Sequence, residues 1–201
     1  MIELLKKTPI DLAQGSLRGK TQGKIIALSF IKDGSNKTAL DIGCREGIQS
    51  RWLEKKGYKV SSIDIEKDYE KCIVADANKT LPFKDNSFDL IWCSEVIEHL
   101  DNPEENLKEF KRVLKKEGQM ILTTPNSYFW LYKIAKLFGK TPKQLQNPGH
   151  KHFFSEKHIR NLFPDAEIYG YFPYFLKKFT ITKCLNFLTP TFVIVNRKAY
   201  K

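Results

Sequence analysis

Seven residues, Asp41-Ile-Gly-Cys-Arg-Glu-Gly47, follow a short apolar run and open a stretch with helical spacing. An acid and two glycines at such a bend suit a nucleotide. Glycine lets backbone come close to a ligand, and a carboxylate accepts from hydroxyls. A dinucleotide fingerprint would need G-x-G-x-x-G. Counted from Gly43, its second and third glycines fall on Arg45 and Ile48, so that reading fails. Further polar groups end other apolar runs: Asp64 before Ile65, Asp76 before Ala77, and Ser94 after Phe88–Cys93. Three histidines, His99, His150 and His152, are candidates for positioning an acceptor or taking its proton. No acid pairs with them at metal spacing, and Cys44, Cys72, Cys93 and Cys184 form no C-x-x-C, so no metal is expected.

The elements that must hold these groups alternate. Strand signals cover residues 38–42, 59–65, 71–77, 88–93 and 119–125. One helix runs from Ile48 to a stop at Gly57. Another starts on Asp101 or Asn102 as N-cap, with Pro103 in its first turn and Glu104 and Glu105 at its positive end, and is expected to reach Gly118. Ser155 can cap a short helix over 156–163, and the strand-like stretches 166–172 and 191–198 fit a closing hairpin at the sheet edge. The expected fold is α/β: a Rossmann-like doubly wound sheet, mostly parallel, ending in an antiparallel hairpin strand. Ligands of such sheets bind at the carboxyl ends of the strands, which places Asp41–Gly47, Asp64, Asp76–Ala77 and Cys93–Glu95 on one rim. At Arg45 a negative φ is expected, leaving the close approach to Gly43 and Gly47.

The 201 residues suit one domain, divided as an N-terminal helical segment (1–37), a core (38–126), a lid or substrate segment (127–165) and C-terminal strands (166–201). Net charge is +11 but uneven: residues 41–125 carry 14 basic and 17 acidic side chains, residues 126–201 carry 13 and 3. Such asymmetry suits an anionic partner or plain solubility. No apolar run reaches the ~20 residues of a membrane span, and no signal peptide is visible. Scattered cysteines fit a reducing, cytoplasmic setting. Residues 126–140 interleave aromatics with lysines. They can form a lid, an interfacial helix at an acidic membrane surface, a platform for RNA bases, or simple packing.

The first loop reads acid-x-G-x-x-x-G, and Ala75–Asn126 adds Leu81-Pro-Phe, Phe88-Asp-Leu-Ile, Glu95-Val-Ile-Glu-His-Leu, a helix and G-x-x-x-L-x-T-P-N. Together these resemble the class I S-adenosylmethionine-dependent methyltransferases, and most of all the branch that includes ubiquinone-biosynthesis O-methyltransferases. Gly149–Ser155 is similar, more loosely, to a His-Phe-x-Ser segment of some members. Arg45 stands where the family commonly has glycine. The resemblance implies S-adenosyl-L-methionine as cofactor. It implies binding roles for Asp41, Gly43, Cys44, Gly47, Asp64 (ribose), Ile65, Asp76 (adenine amino group), Ala77 and Ser94 (methionine end). The acceptor would be an oxygen or nitrogen of a small or lipid-like, even anionic, molecule. Two rivals stay open: a tRNA or rRNA methyltransferase, and a non-catalytic partner subunit of the same fold. The oligomeric state is not legible.

Overall fold

The computed structural model describes residues 21–172 and 179–197; residues 1–20 of the expected N-terminal segment lie outside them. Eight strands form one sheet: β1 (Thr38–Ile42), β2 (Lys59–Asp64), β3 (Cys72–Val74), β4 (Phe88–Ser94), β5 (Leu114–Pro125), β6 (Glu167–Phe172), β7 (Phe179–Ile181) and β8 (Thr191–Arg197). Their order is β3-β2-β1-β4-β5-β8-β6-β7. The first five are parallel; β8 runs antiparallel between β5 and β6, and β7 pairs antiparallel with β6. The expected C-terminal hairpin is therefore an insertion: β8 is interior, and β7 supplies a further strand beyond β6.

Helices cover both faces. On one, α1 (Gln22–Ser29) and α2 (Ile48–Lys55) bury Ile26, Ala27 and Leu53 with Trp92, Ile121 and Val193 of the sheet. On the other, α3 (Pro103–Val113) and α6 (Glu156–Leu162) bury Leu107, Phe110 and Ile159 with Ile91, Leu122 and Ile194. α4 (Trp130–Leu137), α5 (Pro142–Leu145) and α7 (Leu185–Leu188) are shorter. No helix among the described residues is long and apolar enough to cross a membrane.

The α3 boundaries sharpen the expectation. Asn102 is the N-cap, accepting from the Glu105 N–H at 3.4 Å. The helix ends at Val113 rather than near Gly118. Leu114 turns extended, pairs with Phe88 and is buried, and Lys115 bonds Asp89 at 2.8 Å, so β5 begins five residues early. Gly118 is not a helix stop; a Cβ there would lie 2.6 Å from Leu114 Cδ1. The strand expected over 71–77 is only Cys72–Val74, because Asp76 and Asn78 form a local turn instead.

The sequence order of strands reverses between β1 and β4, which opens the crevice where such sheets bind ligands.

Candidate active site

A cleft of about 1240 Å³ opens at the carboxyl ends of β1, β2 and β4. Of the residues expected at the site, Gly43, Asp64, Ile65, Asp76, Ala77, Ser94, His99 and His150 line it. Asp41, Cys44, Gly47 and His152 do not; they shape the structure around it.

The first loop is held by alternate left-handed residues: Gly43 (φ 77°), Arg45 (φ 44°) and Gly47 (φ 72°). Both glycines are needed for packing as much as for ligand approach. A Cβ on Gly43 would lie 2.4 Å from Val96 Cγ2, and one on Gly47 would meet the Tyr69 ring at 2.6 Å. Arg45 contradicts the expected negative φ. The physical reason is the acid opposite: in this conformation the Arg45 N–H donates to Asp64 Oδ2 at 2.9 Å. That charge-assisted bond offsets the roughly 1–2 kcal/mol that a left-handed residue costs. Cys44 packs beneath the loop with Tyr69 and Cys72, and burial pushes its thiol pKa up.

Asp41 is buried under α2. It accepts from Ser50 Oγ, which also meets Ser62 Oγ at 2.8 Å. Burial, only partly opposed by the Ser50 hydrogen bond and the Lys24 charge, raises its carboxyl pKa to about 6. It ties β1, β2 and α2 together behind the loop.

Asp64 ends β2 with carboxylate capacity to spare. Among the described residues, besides Arg45 only the Glu66 N–H reaches it, at 3.4 Å to Oδ1. Each oxygen keeps a second lone pair. Asp76 Oδ1 is engaged by the Asn78 N–H at 2.9 Å and Asn78 Nδ2 at 3.1 Å, while α3 grips the same turn through Asn106 Nδ2 on Ala77 O at 2.9 Å. At the end of β4, Ser94 Oγ lies 2.7 Å from Thr123 Oγ1, which donates to Glu95 Oε1 at 2.9 Å. Ser94 therefore donates along the chain. Glu95 itself is left-handed (φ 59°), with its N–H on Thr123 O.

Next to this lies Glu98, which the sequence did not single out. It is 1% exposed, and burial followed by the Glu95 charge holds its pKa well above the carboxylate range. Thr124 Oγ1 donates to its Oε2 at 3.0 Å, and Oε1 lies 4.0 Å from His150 Nε2. Its signal was an acid inside the apolar run Val96-Ile-Glu-His-Leu100. The Glu98 carbonyl pins the distant loop by accepting from the N–H groups of Lys151 (2.8 Å) and His152 (3.0 Å). His152 stacks on Phe154, ring centroids 5.8 Å apart, away from the cleft. His99 Nδ1 donates to Gly149 O at 2.9 Å, which makes Nε2 the basic nitrogen of the neutral ring. His99 and His150 meet edge to face at 4.8 Å. Glu98, His99 and His150 each offer one ligand atom, all within 4.8 Å of one another, so the fold assembles a group able to hold a cation that chain spacing did not suggest.

The cleft is acidic in a basic protein: Glu46, Asp64, Glu66, Asp76, Glu95 and Glu98 line it, against Lys24, Arg45 and Lys151. That donor set fits a cationic ligand bearing ribose hydroxyls. Its volume exceeds the roughly 300–1,000 Å³ of ordinary small-molecule pockets, which leaves space for two reactants.

A family model described as a methyltransferase domain matches residues 16–168. A ubiquinone biosynthesis O-methyltransferase of Glaesserella parasuis is 29% identical over 194 residues, 80% of this chain and 81% of that one. One of Pseudomonas paraeruginosa is 28% identical over 136 residues, 59% of this chain and 57% of that relative, so the match spans little more than half its length. Among solved structures, a SAM-dependent methyltransferase of Thermotoga maritima, described as a possible histamine N-methyltransferase, aligns at TM-score 0.65 and 20% identity, covering 87% of this chain and 88% of that one. A SAM-dependent methyltransferase of Archaeoglobus fulgidus aligns at TM-score 0.64 and 17% identity, covering 90% and 97%. At these identities the structural likeness concerns the fold.

Proposed function

Since the chain belongs to the methyltransferase-domain family, as a class I S-adenosylmethionine-dependent methyltransferase, we propose that it methylates an oxygen or nitrogen of a small molecule held beside Glu98, His99 and His150. The observation that carries this reading is the junction of two differently built half-sites at one switch point. Asp64 ends β2 with accepting capacity left over, and a buried acid with two histidines stands across β4.

In this reading the bound cofactor supplies an activated methyl group on a positively charged sulfur. Asp64 takes the ribose hydroxyls, the Asp76–Ala77 turn and Ile65 border the adenine, and the backbone at Gly43 with the Ser94 hydroxyl meets the methionine end. Asp41, Cys44 and Gly47 keep the loop in shape. The chain's task is to align the acceptor atom in line with the methyl group and to keep water away. His150 takes the acceptor's proton, or positions the acceptor, with Glu98 alongside. The 127–165 segment covers the acceptor, within a single unit that also includes the 38–126 core and β6–β8. Its lysines, Lys133, Lys136, Lys140 and Lys143, with no acid between Glu117 and Glu156, support an anionic acceptor or an acidic membrane surface as what approaches it.

Calorimetry with S-adenosylmethionine tests the central assignment. Wild-type protein should bind, and Asp64→Ala should bind at least about tenfold more weakly, the value of a lost hydrogen bond to a charged group. No heat and no competition at millimolar cofactor would sink the reading.

A further inference from the structure

Among the described residues, buried polar atoms of the cleft lining that lack a hydrogen-bond partner include Trp92 Nε1, Glu98 Oε1 and Gln146 Nε2. Native proteins leave few such atoms, because an unmade bond forfeits the group's hydration. A ligand that comes and goes is one reason to keep them.

Gln146 is the most informative. It is 6% exposed, and it is the one buried residue of the described side chains in the run 139–149. Its Oε1 accepts from Ser127 Oγ at 3.0 Å. Ser127 is itself 2% exposed and fixed, its N–H donating to Phe154 O at 3.0 Å. The preceding residue is fixed harder still: Asn126 Nδ2 donates to the carbonyls of Leu185, Asn186 and Thr189. With its oxygen taken by Ser127, the carboxamide of this cleft-lining residue keeps its Nε2 protons without a partner among the described residues. Position assigns that donor to the acceptor rather than to the cofactor. Asn147, the next residue, accepts the His150 N–H at 3.0 Å, and Gly149 O holds His99. The Gln146 donor thus belongs to the turn that places both histidines, while Asp64 and Asp76 lie at the ends of β2 and β3.

We propose that Gln146 determines acceptor specificity: its Nε2 donates a hydrogen bond to an oxygen of the acceptor other than the atom that is methylated. The acceptor class is an oxygenated small molecule, with a carbonyl, hydroxyl or ether oxygen close to the reacting oxygen or nitrogen. The inference rests on the acceptor half-site proposed above. It adds a requirement which that reading does not contain.

The test uses two matched probe pairs, 2-methoxyphenol against 2-ethylphenol and 2-methoxyaniline against 2-ethylaniline. Members of each pair differ in one accepting oxygen. Binding to protein loaded with S-adenosylhomocysteine is read by ligand-observed NMR, and cofactor affinity by calorimetry. Wild-type protein should prefer the oxygenated member of at least one pair by roughly tenfold or more, as sites built to pair a polar group do. Gln146→Met keeps volume without a donor, and Gln146→Glu keeps the oxygen toward Ser127 and replaces the donor. Both should erase the preference with cofactor affinity unchanged within about twofold. Ser127→Ala, which releases the carboxamide, should weaken the preference. Equal binding within both pairs by the wild type, no binding of any probe, a preference that survives in both Gln146 variants, or tenfold weaker cofactor binding in them would each overturn the proposal. The wild-type preference decides if a variant does not fold. Loss of cofactor binding in the wild type would remove the functional reading as well, whereas intact cofactor binding without a preference removes this inference alone.

Discussion

The cofactor half of the cleft hangs on strand ends, whereas the acceptor half hangs on loops. Asp64 and Ser94 terminate β2 and β4, and Asp41 is clamped by Ser50 beneath them. His150 and Gln146 instead sit beyond α4, a helix that buries none of its residues. That outer segment leans on the core through the partly buried Trp130, Leu131 and Tyr132 of α4, and beyond them it is held by polar ties: two N–H groups on Glu98 O, His99 on Gly149 O, Ser127 on Gln146 and Lys151 on Asp101. A scaffold fixed by packing can keep one cofactor while loops tied by a few bonds are free to fit different acceptors.

The largest effect that can test this contrast lies in the strand-end half. Gly43→Ala puts a Cβ 2.4 Å from Val96 Cγ2 on a backbone with φ of 77°. Strain and overpacking together should remove about 2–4 kcal/mol of stability, read by urea unfolding. A loss under about 1 kcal/mol would mean that the loop relaxes easily and that the two halves are equally soft.

In the loop half the expected loss is of rate rather than of fold. His150→Ala should lower kcat roughly 10²-fold with cofactor affinity unchanged, the usual share of a positioned acid or base. Should kcat hold while acceptor KM rises, the histidine shapes the pocket and takes no proton.

A third, smaller effect separates the halves by pH. Burial raises the Asp41 carboxyl pKa from 3.8 to about 6. The folded state thus holds this proton more tightly than the unfolded chain. The associated stability is present in full below about pH 4, falls away as pH rises to about 6, and is constant above that. Glu98, raised by burial and by Glu95, contributes with the same sign. Asp41→Asn should flatten the dependence of unfolding free energy on pH between 4 and 6, by up to about 1.4 kcal/mol per pH unit. A slope left unchanged would mean that another group titrates there.

The same contrast governs what the sequence made legible. Strand ends were visible because an apolar run that stops at a polar residue marks a buried strand and its end, so the parallel core and the places of Asp64 and Ser94 could be read directly, whereas Asp76 falls in a turn past a strand shorter than its run suggested. Arg45 could not, since a positive φ depends on the Asp64 carboxylate 19 residues away taking its N–H. Gly118 looked like a helix stop but answers to the Leu114 side chain folded against it. Glu98 and Gln146 were missed for a related reason. An acid in a helical turn and an amide in a polar loop carry no local mark of burial, and only the fold brings His150 to one and Ser127 to the other.

The smallest predicted effect is the most direct probe of the outer segment. On α4 and just beyond it, Leu137 is 84% exposed and Phe138 70%, next to Ile134 at 42%. Apolar side chains at that exposure contribute little to the fold, so Leu137→Ser should shift stability by no more than about 0.5 kcal/mol. Its consequence should fall on the acceptor. If this face closes over the cleft, acceptor KM rises while cofactor affinity and the melting temperature hold. A melting temperature lower by several degrees would instead show α4 packed as core. The contrast between a rigid cofactor half and an adaptable acceptor half would then have to be withdrawn.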